Sequence, residues 1–169
     1  MDVVIRTARL LLRQLDPEVD AAMMLALLND PGFIRNIGDR QVRTHGQAAD
    51  YVRSGPCASY LAHGHGMYAV IRRDDGEWLG NAGLVRRAQL PMADIGYALL
   101  AAHAGSGYAF EAAAAVRDHA RTVLRLPALA AIVRPDNARS IHLLQRLGME
   151  YQDMREVVPG QPPLAYYQM

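Results

Sequence analysis

DIGYALLAAHAGSGYAFEA, Asp94 to Ala112, decides how the rest of this chain is read. Ile95, Tyr97 and Leu99 alternate with Asp94, Gly96 and Ala98, the period of a strand. Gly105-Ser106-Gly107 follows, then an apolar-periodic run without proline from Tyr108 to Leu124. The stretch predicts strand, glycine turn and helix. A helix that opens on glycines points several backbone N–H groups out of its N-terminus, where the helix dipole adds partial positive charge. That combination suits an anion, above all a phosphate or pyrophosphate. Glycine helps because no side chain keeps the anion from the backbone. A tight strand-to-helix turn with no ligand fits the same residues. Two familiar nucleotide loops do not fit. A dinucleotide fingerprint needs Gly or Ala where Phe110 stands, and a Walker loop needs a lysine, which this chain lacks altogether.

A second stretch, NARSIHLLQRLG from Asn137 to Gly148, reads as a helix that Asn137 caps and Gly148 stops, with Ser140 three residues after the cap. Taken with the glycine loop, the chain resembles the GNAT acetyltransferase superfamily, and within it the ribosomal-protein N-terminal acetyltransferases of the RimJ/RimL type. The matching pieces are TARLLLR (Thr7 to Arg13), WLGNAGLV (Trp78 to Val85), DIGYAL (Asp94 to Leu99), GSGYAFEA (Gly105 to Ala112) and NARSIHLLQRLGM (Asn137 to Met149). They run across nearly the whole chain, in the order and spacing of that family. One departure is Ala102, where the superfamily often places Gln or Arg; the change removes one polar phosphate contact and leaves the backbone donors.

The resemblance implies acetyl-coenzyme A as co-substrate, lying along Tyr97, Ala98 and Leu99 and splaying that strand from a parallel neighbour. Its pyrophosphate would sit on the amides of Ala104, Gly105, Ser106, Gly107, Tyr108 and Ala109. Amides near Ala98 would bind the pantetheine arm or polarise the thioester, and Asn137 would touch the arm while capping its helix. The tyrosine that serves as proton donor in the better-known branch is Leu144 here, which cannot donate. Ser140 matches the serine proposed near the sulfur in the RimL-like branch; a contact within its own helix is the competing reading. Asp94 starts the central strand, where an acidic residue often serves as base, and an edge carboxylate without a role fits equally. Glu111, four residues past Gly107, is expected to fix the loop or the helix. Arg35, His45 and His103 are possible substrate-site groups.

Acetyl transfer to an amine needs a positioned thioester, a donor for the carbonyl oxygen, and proton transfer from the amine and to the thiolate. The implied activity is N-acetyl transfer by direct attack on a primary amine, either a protein N-terminus or a small molecule. A non-catalytic acyl-coenzyme A binding or sensing domain of the same fold is the alternative. No metal is expected. His63-Gly64-His65 has no second ligand cluster beside it and reads as a solvated loop.

The remaining features set the frame. At 169 residues the chain suits one domain, 1–169, with a sizeable core. Half the residues are apolar and the net charge is +1, so nothing points to nucleic acid or to a membrane. All 18 basic residues are arginine, which alongside the abundant alanine reads as compositional bias. Cys57 is the single cysteine, which rules out an internal disulfide and suits a reducing, cytoplasmic setting. Monomer and homodimer remain open. Leu10 to Leu12 reads as a strand. Asp16 to Asn29 reads as a helix capped by Asp16, with Pro17 at its first position and Pro31-Gly32 after it. Its Met23-Met24 pair is core or a groove lining. Phe33 to Val42 reads as a loop, and Thr44 with Gln47 as the capping box of a helix to Arg53. Ser54 to Gly66 reads as a loop. Met67 to Arg72 and Trp78 to Val85 read as strands joined at Asp74-Asp75-Gly76, and Arg86 to Met92 as a connection. Ala128 to Val133 reads as a buried strand parallel to Asp94–Leu99, and Met149 to Val158 with Leu164 to Gln168 as a closing hairpin. The fold class is α/β (α+β): a mixed, mostly antiparallel central sheet with one parallel strand pair and helices on both faces.

Overall fold

The computed structural model describes residues 2–169. Eight strands form one sheet in the order β1-β2-β3-β4-β5-β6-β8-β7. They are β1 (Val3–Arg6), β2 (Leu10–Gln14), β3 (Met67–Arg72), β4 (Trp78–Val85), β5 (Asp94–Leu99), β6 (Ala130–Val133), β7 (Glu150–Arg155) and β8 (Leu164–Gln168). Among the described residues β5 and β6 are the only parallel neighbours, joined by a crossover that contains a helix. The antiparallel meander before β5 and the closing hairpin stand as expected. Strand β1 was not anticipated: four residues pairing with β2 are too few for a period-two signal.

The helices divide between the two faces. On one, α5 (Tyr108–Thr122) and α6 (Ala138–Arg146) pack Ala112, Ala113, Val116, Ala120, Leu144 and Leu147 against Leu10, Leu12, Val70, Leu79, Leu84 and Ile95. The small alanines of α5 bring its axis close to the sheet, which lets its N-terminus meet the end of β5. On the other, α1 (Ala21–Leu28) and α3 (His45–Val52) cover Leu15, Ala69 and Trp78, with Met24 fully buried. Met24 is therefore core; its neighbour Met23 is half-buried at the edge of the same cluster.

Three readings of the first third are corrected. Helix α1 starts at Ala21, not after Asp16, since Asp16 Oδ1 takes the amides of Glu18 (2.8 Å) and Val19 (3.1 Å) in a separate turn. Asp20 is held by a two-pronged pair with Arg13 at 2.7 and 2.8 Å. Pro31 does end α1, but it also opens a second helix, α2 (Pro31–Asn36), because Asp30 caps it through the Gly32 amide. The capping box of Thr44 and Gln47 is present. The helix it starts does not stop at Arg53, however. A π-helical turn, Arg53–Cys57, accommodates Pro56, and α4 (Ala58–His63) continues to a left-handed Gly64. The wide turn places the proline where its missing N–H breaks no narrow ladder. His65 just beyond is buried rather than solvated; its ring stacks on His63 with centroids 5.8 Å apart. Burial holds the His65 pKa below the usual imidazole range.

Candidate active site

β5 and β6 share a single register pair, Asp94 with Ala130, fastened by the bond from Ala130 N to Ala93 O at 2.9 Å. Beyond it β6 keeps its pairing with β8, β5 keeps its pairing with β4, and the two strands part. The phase of β5 follows from its neighbour. Leu100 N donates to Leu79 O, so Leu100 and Ala98 turn their backbone groups toward β4, with Ala98 opposite Asn81. Tyr97 and Leu99 therefore turn theirs into the parting. Of the backbone groups around Ala98, those of Tyr97 and Leu99 face the parting and those of Ala98 itself do not.

At the C-terminal end of β5 a short 3₁₀ turn, Ala101–His103, leads into the glycine loop. Gly105 and Gly107 have φ of +84° and +79°, a left-handed backbone that disfavours any side chain. Gly107 is the N-cap of α5. The amide of Ala104 already donates to Ala101 O at 3.2 Å, and the first helical bond runs from Glu111 N to Gly107 O. Between them, Gly105, Ser106, Gly107, Tyr108 and Ala109 offer amides with no backbone acceptor among the described residues. A Cβ on Gly105 would meet nothing within 4 Å, so the approach to these donors is open. The loop fits a phosphate-bearing ligand on both counts.

Sequence reasoning undervalued how this loop is held. Glu111, in the first turn of α5, accepts from Thr7 Oγ1 (2.5 Å), Arg9 N (2.9 Å) and Arg9 Nε (2.6 Å). Burial pushes the Glu111 pKa up, yet the bonds from Thr7 and Arg9 outweigh it and leave the carboxylate below its usual range. Arg9 Nη1 also donates to Ser106 O at 2.9 Å. The turn between β1 and β2 is thereby strapped to the glycine loop. Arg9 is one of 18 arginines, and nothing in its local sequence marks it apart from the TARLLLR and GSGYAFEA matches taken together.

At the other wall, Asn137 caps α6 by accepting from Ser140 N at 3.2 Å. That contact uses the Ser140 amide. The Ser140 hydroxyl lies 2.7 Å from Tyr97 Oη, across the parting. Burial pushes the Tyr97 phenol up to about 12, against the bond to Ser140. Leu144 is fully buried and takes no part. Asp94 stands apart from this pair: it is 2% exposed, its side-chain partner is Arg87 Nε at 3.1 Å, and burial raises its pKa to about 6 despite the Arg87 charge. Helix α2 is tied to the same end of β5, since Asp30 Oδ2 accepts from Ala101 N at 3.1 Å. His103 turns away toward Glu77, 3.6 Å from its carboxylate.

Residues 9–150 match the sequence pattern described as an acetyltransferase (GNAT) domain. The chain belongs to the GNAT acetyltransferase family. Relatives agree with this. An uncharacterized N-acetyltransferase of Bacillus subtilis, YoaA, is 28% identical over 148 residues, covering 87% of this chain and 82% of that protein. An acetyltransferase structure from Agrobacterium tumefaciens is 27% identical, with a TM-score of 0.83 over 100% of this chain and 94% of that one. The structure of RimL, a ribosomal L7/L12 α-N-protein acetyltransferase in complex with coenzyme A, shares the fold at a TM-score of 0.84 and 18% identity, covering 99% and 97% of the two chains. This GNAT chain is thus an acetyltransferase built around the parted β5–β6 pair. Among the described residues no helix is long and apolar enough to cross a membrane.

Proposed function

We propose that this GNAT enzyme transfers the acetyl group of acetyl-coenzyme A directly to a primary amine, either a protein N-terminus or a small molecule, in a cytoplasmic setting. The observation that carries the reading is the Ser140–Tyr97 hydroxyl pair at the parting of β5 and β6, in line with the open amides of the glycine loop.

Acetyl-coenzyme A supplies a thioester carbonyl open to attack by an amine. The amides of Gly105 to Ala109 hold its phosphates, and Asn137 holds both the α6 start and the arm. The N–H groups of Tyr97 and Leu99 face the gap and stabilise negative charge on an oxygen placed there; preorganised donors of this kind contribute on the order of 10²–10³ in rate. Ser140 Oγ hydrogen-bonds to the departing sulfur as charge builds on it, and any proton it passes to the thiolate is replaced from water. Its hydroxyl is too weakly acidic to ionise, so it acts as a hydrogen-bond donor and relay, and Tyr97 orients it. Asp94 is the candidate base. At 2% exposure it takes the amine proton through water rather than by direct contact, and with a pKa of about 6 it is ionised at neutral pH.

Turnover tests the proposal. Free thiol release from acetyl-coenzyme A is followed with a panel of amines that includes peptides with free N-termini, amino acids and polyamines. Acceptor-dependent thiol release is expected. Coenzyme A binding with no release for any amine would favour the non-catalytic acyl-coenzyme A binding alternative.

A further inference from the structure

We propose that Arg9 is a phosphate-binding residue for coenzyme A, supplying a cationic donor to a cradle that the glycine loop otherwise builds from backbone amides and the Ser106 hydroxyl. The inference rests on the acetyl-coenzyme A reading of that loop.

The loop has little to offer from its own side chains. Ala101, Ala102 and Ala104 carry no donor, Ser106 carries only a neutral hydroxyl, and His103 faces Glu77. Glu111, one turn into α5, is ionised and would repel a phosphate at the helix start if it stood alone. Arg9 answers both deficits. Its Nε pairs with Glu111 Oε2 at 2.6 Å, cancelling that charge, and its Nη1 donates to Ser106 O at 2.9 Å. The guanidinium lies over the Tyr108 ring, 4.4 Å from its centroid, which fixes the plane of the fork. Two edges of the fork are anchored. The third, Nη2, has no acceptor among the described residues and lies 3.4 Å from where a Cβ on Gly107 would stand. A free, charged N–H therefore faces the residue that opens the anion site. The Arg9 side chain is 45% exposed, so a ligand can reach it.

Arginine suits this post and lysine does not. A planar guanidinium can hold two protein acceptors and still present a donor to an anion, whereas an ammonium is a single point of charge on a flexible stem.

The test is calorimetric titration of the full chain with coenzyme A at two salt concentrations, for wild type, Arg9→Gln and Arg9→Lys. Losing a charge-assisted bond to phosphate should weaken Arg9→Gln roughly tenfold or more. It should also flatten the salt dependence, because one fewer cation meets the phosphates. Arg9→Lys should keep the salt dependence and recover only part of the affinity. Adenosine 3′,5′-bisphosphate, which carries phosphates without the pantetheine arm, should show the same order. Affinity within about twofold of wild type in folded Arg9→Gln would overturn the proposal. So would a loss with unchanged salt dependence, since a residue that only shapes the loop would behave that way. If Arg9→Gln fails to fold, Arg9→Met, which keeps the apolar stem and removes the charge, decides on the same two readings. A wild-type chain that binds no coenzyme A overturns the reading of the loop together with this one, and so is told apart from failure at Arg9 alone.

Discussion

Tyr97 and Ser140 meet hydroxyl to hydroxyl at 2.7 Å, one from β5 and one from the first turn of α6. The contact joins the two elements that border the parting of β5 and β6. It also separates two roles that coincide in sequence. The cap of α6 is made by Asn137 Oδ1 and the Ser140 amide, so the Ser140 hydroxyl is spare for the gap.

Ser140→Ala should therefore lower kcat by about 10², the low end for general acid help because a thiolate leaves readily near neutral pH. Coenzyme A affinity should hold, as should the cap, which needs only the backbone N–H. Tyr97→Phe should cost less, roughly tenfold, since it orients rather than donates. The double variant should be no slower than Ser140→Ala if the two act as a unit. Steady-state kinetics with calorimetry reads all three. An unchanged kcat with a stability loss of about 1 kcal/mol would make Ser140 a helix-start residue only.

Asp94 makes stability depend on pH in a direction set by its raised pKa. The folded chain binds the proton more tightly than the unfolded chain, from 3.8 to about 6, so stability falls as pH rises through that window and is flat above it. Roughly two pH units at about 1.4 kcal/mol each set an upper limit near 3 kcal/mol. Asp94→Asn should remove the slope and match or exceed wild type at pH 7.5, with Arg87 left partly hydrated. Denaturant titrations at pH 5 and 7.5 check the sign. If Asp94 is the base, the wild-type rate should also rise through about pH 6, and that inflection should vanish in Asp94→Asn.

Gly107→Val places a branched side chain at φ +79° and in front of the helix amides. Losing two charge-assisted bonds would cost roughly 3 kcal/mol, about a hundredfold in affinity. Backbone strain alone would lower the melting temperature without touching the ligand. Gly160→Val, at φ +77° in the distant β7–β8 connection, carries comparable strain and serves as the control: its melting point should drop and its coenzyme A affinity should not.

Cys57 should be dispensable. Its Sγ donates toward Leu15 O at 3.6 Å within the π-helical turn, and burial raises its pKa, so little thiolate forms near neutrality. Cys57→Ser should keep acetyl transfer within a few-fold, and mass spectrometry during turnover should find Cys57 unacetylated. An acetylated Cys57 on the reaction path would replace direct attack with a covalent route.

Much of the fold was legible because its signals are local. Alternation over Asp94–Leu99, the Asp-Asp-Gly turn that joins Met67–Arg72 to Trp78–Val85 and the Thr44–Gln47 box each follow from backbone preferences within a few residues. The glycine loop and the Asn137 cap were legible for the same reason. Where the reading went astray, a partner distant in sequence or an unusual turn was responsible. Arg13 engages Asp20 in front of α1, and a widened turn carries a helix through Pro56 where proline alone reads as a break. The site divides along the same line. Sequence determined that a glycine-opened helix follows the central strand and that Leu144 cannot be the proton donor. Only the tertiary structure decided that Tyr97 faces Ser140, that Ala98 turns to β4 while Leu99 turns to the gap, that Asp94 is sealed beneath Arg87, and that Arg9 grips a loop 97 residues away. Strand phase and charge pairing depend on which elements become neighbours, and that is fixed by burying two apolar faces of one sheet rather than by any short run of residues.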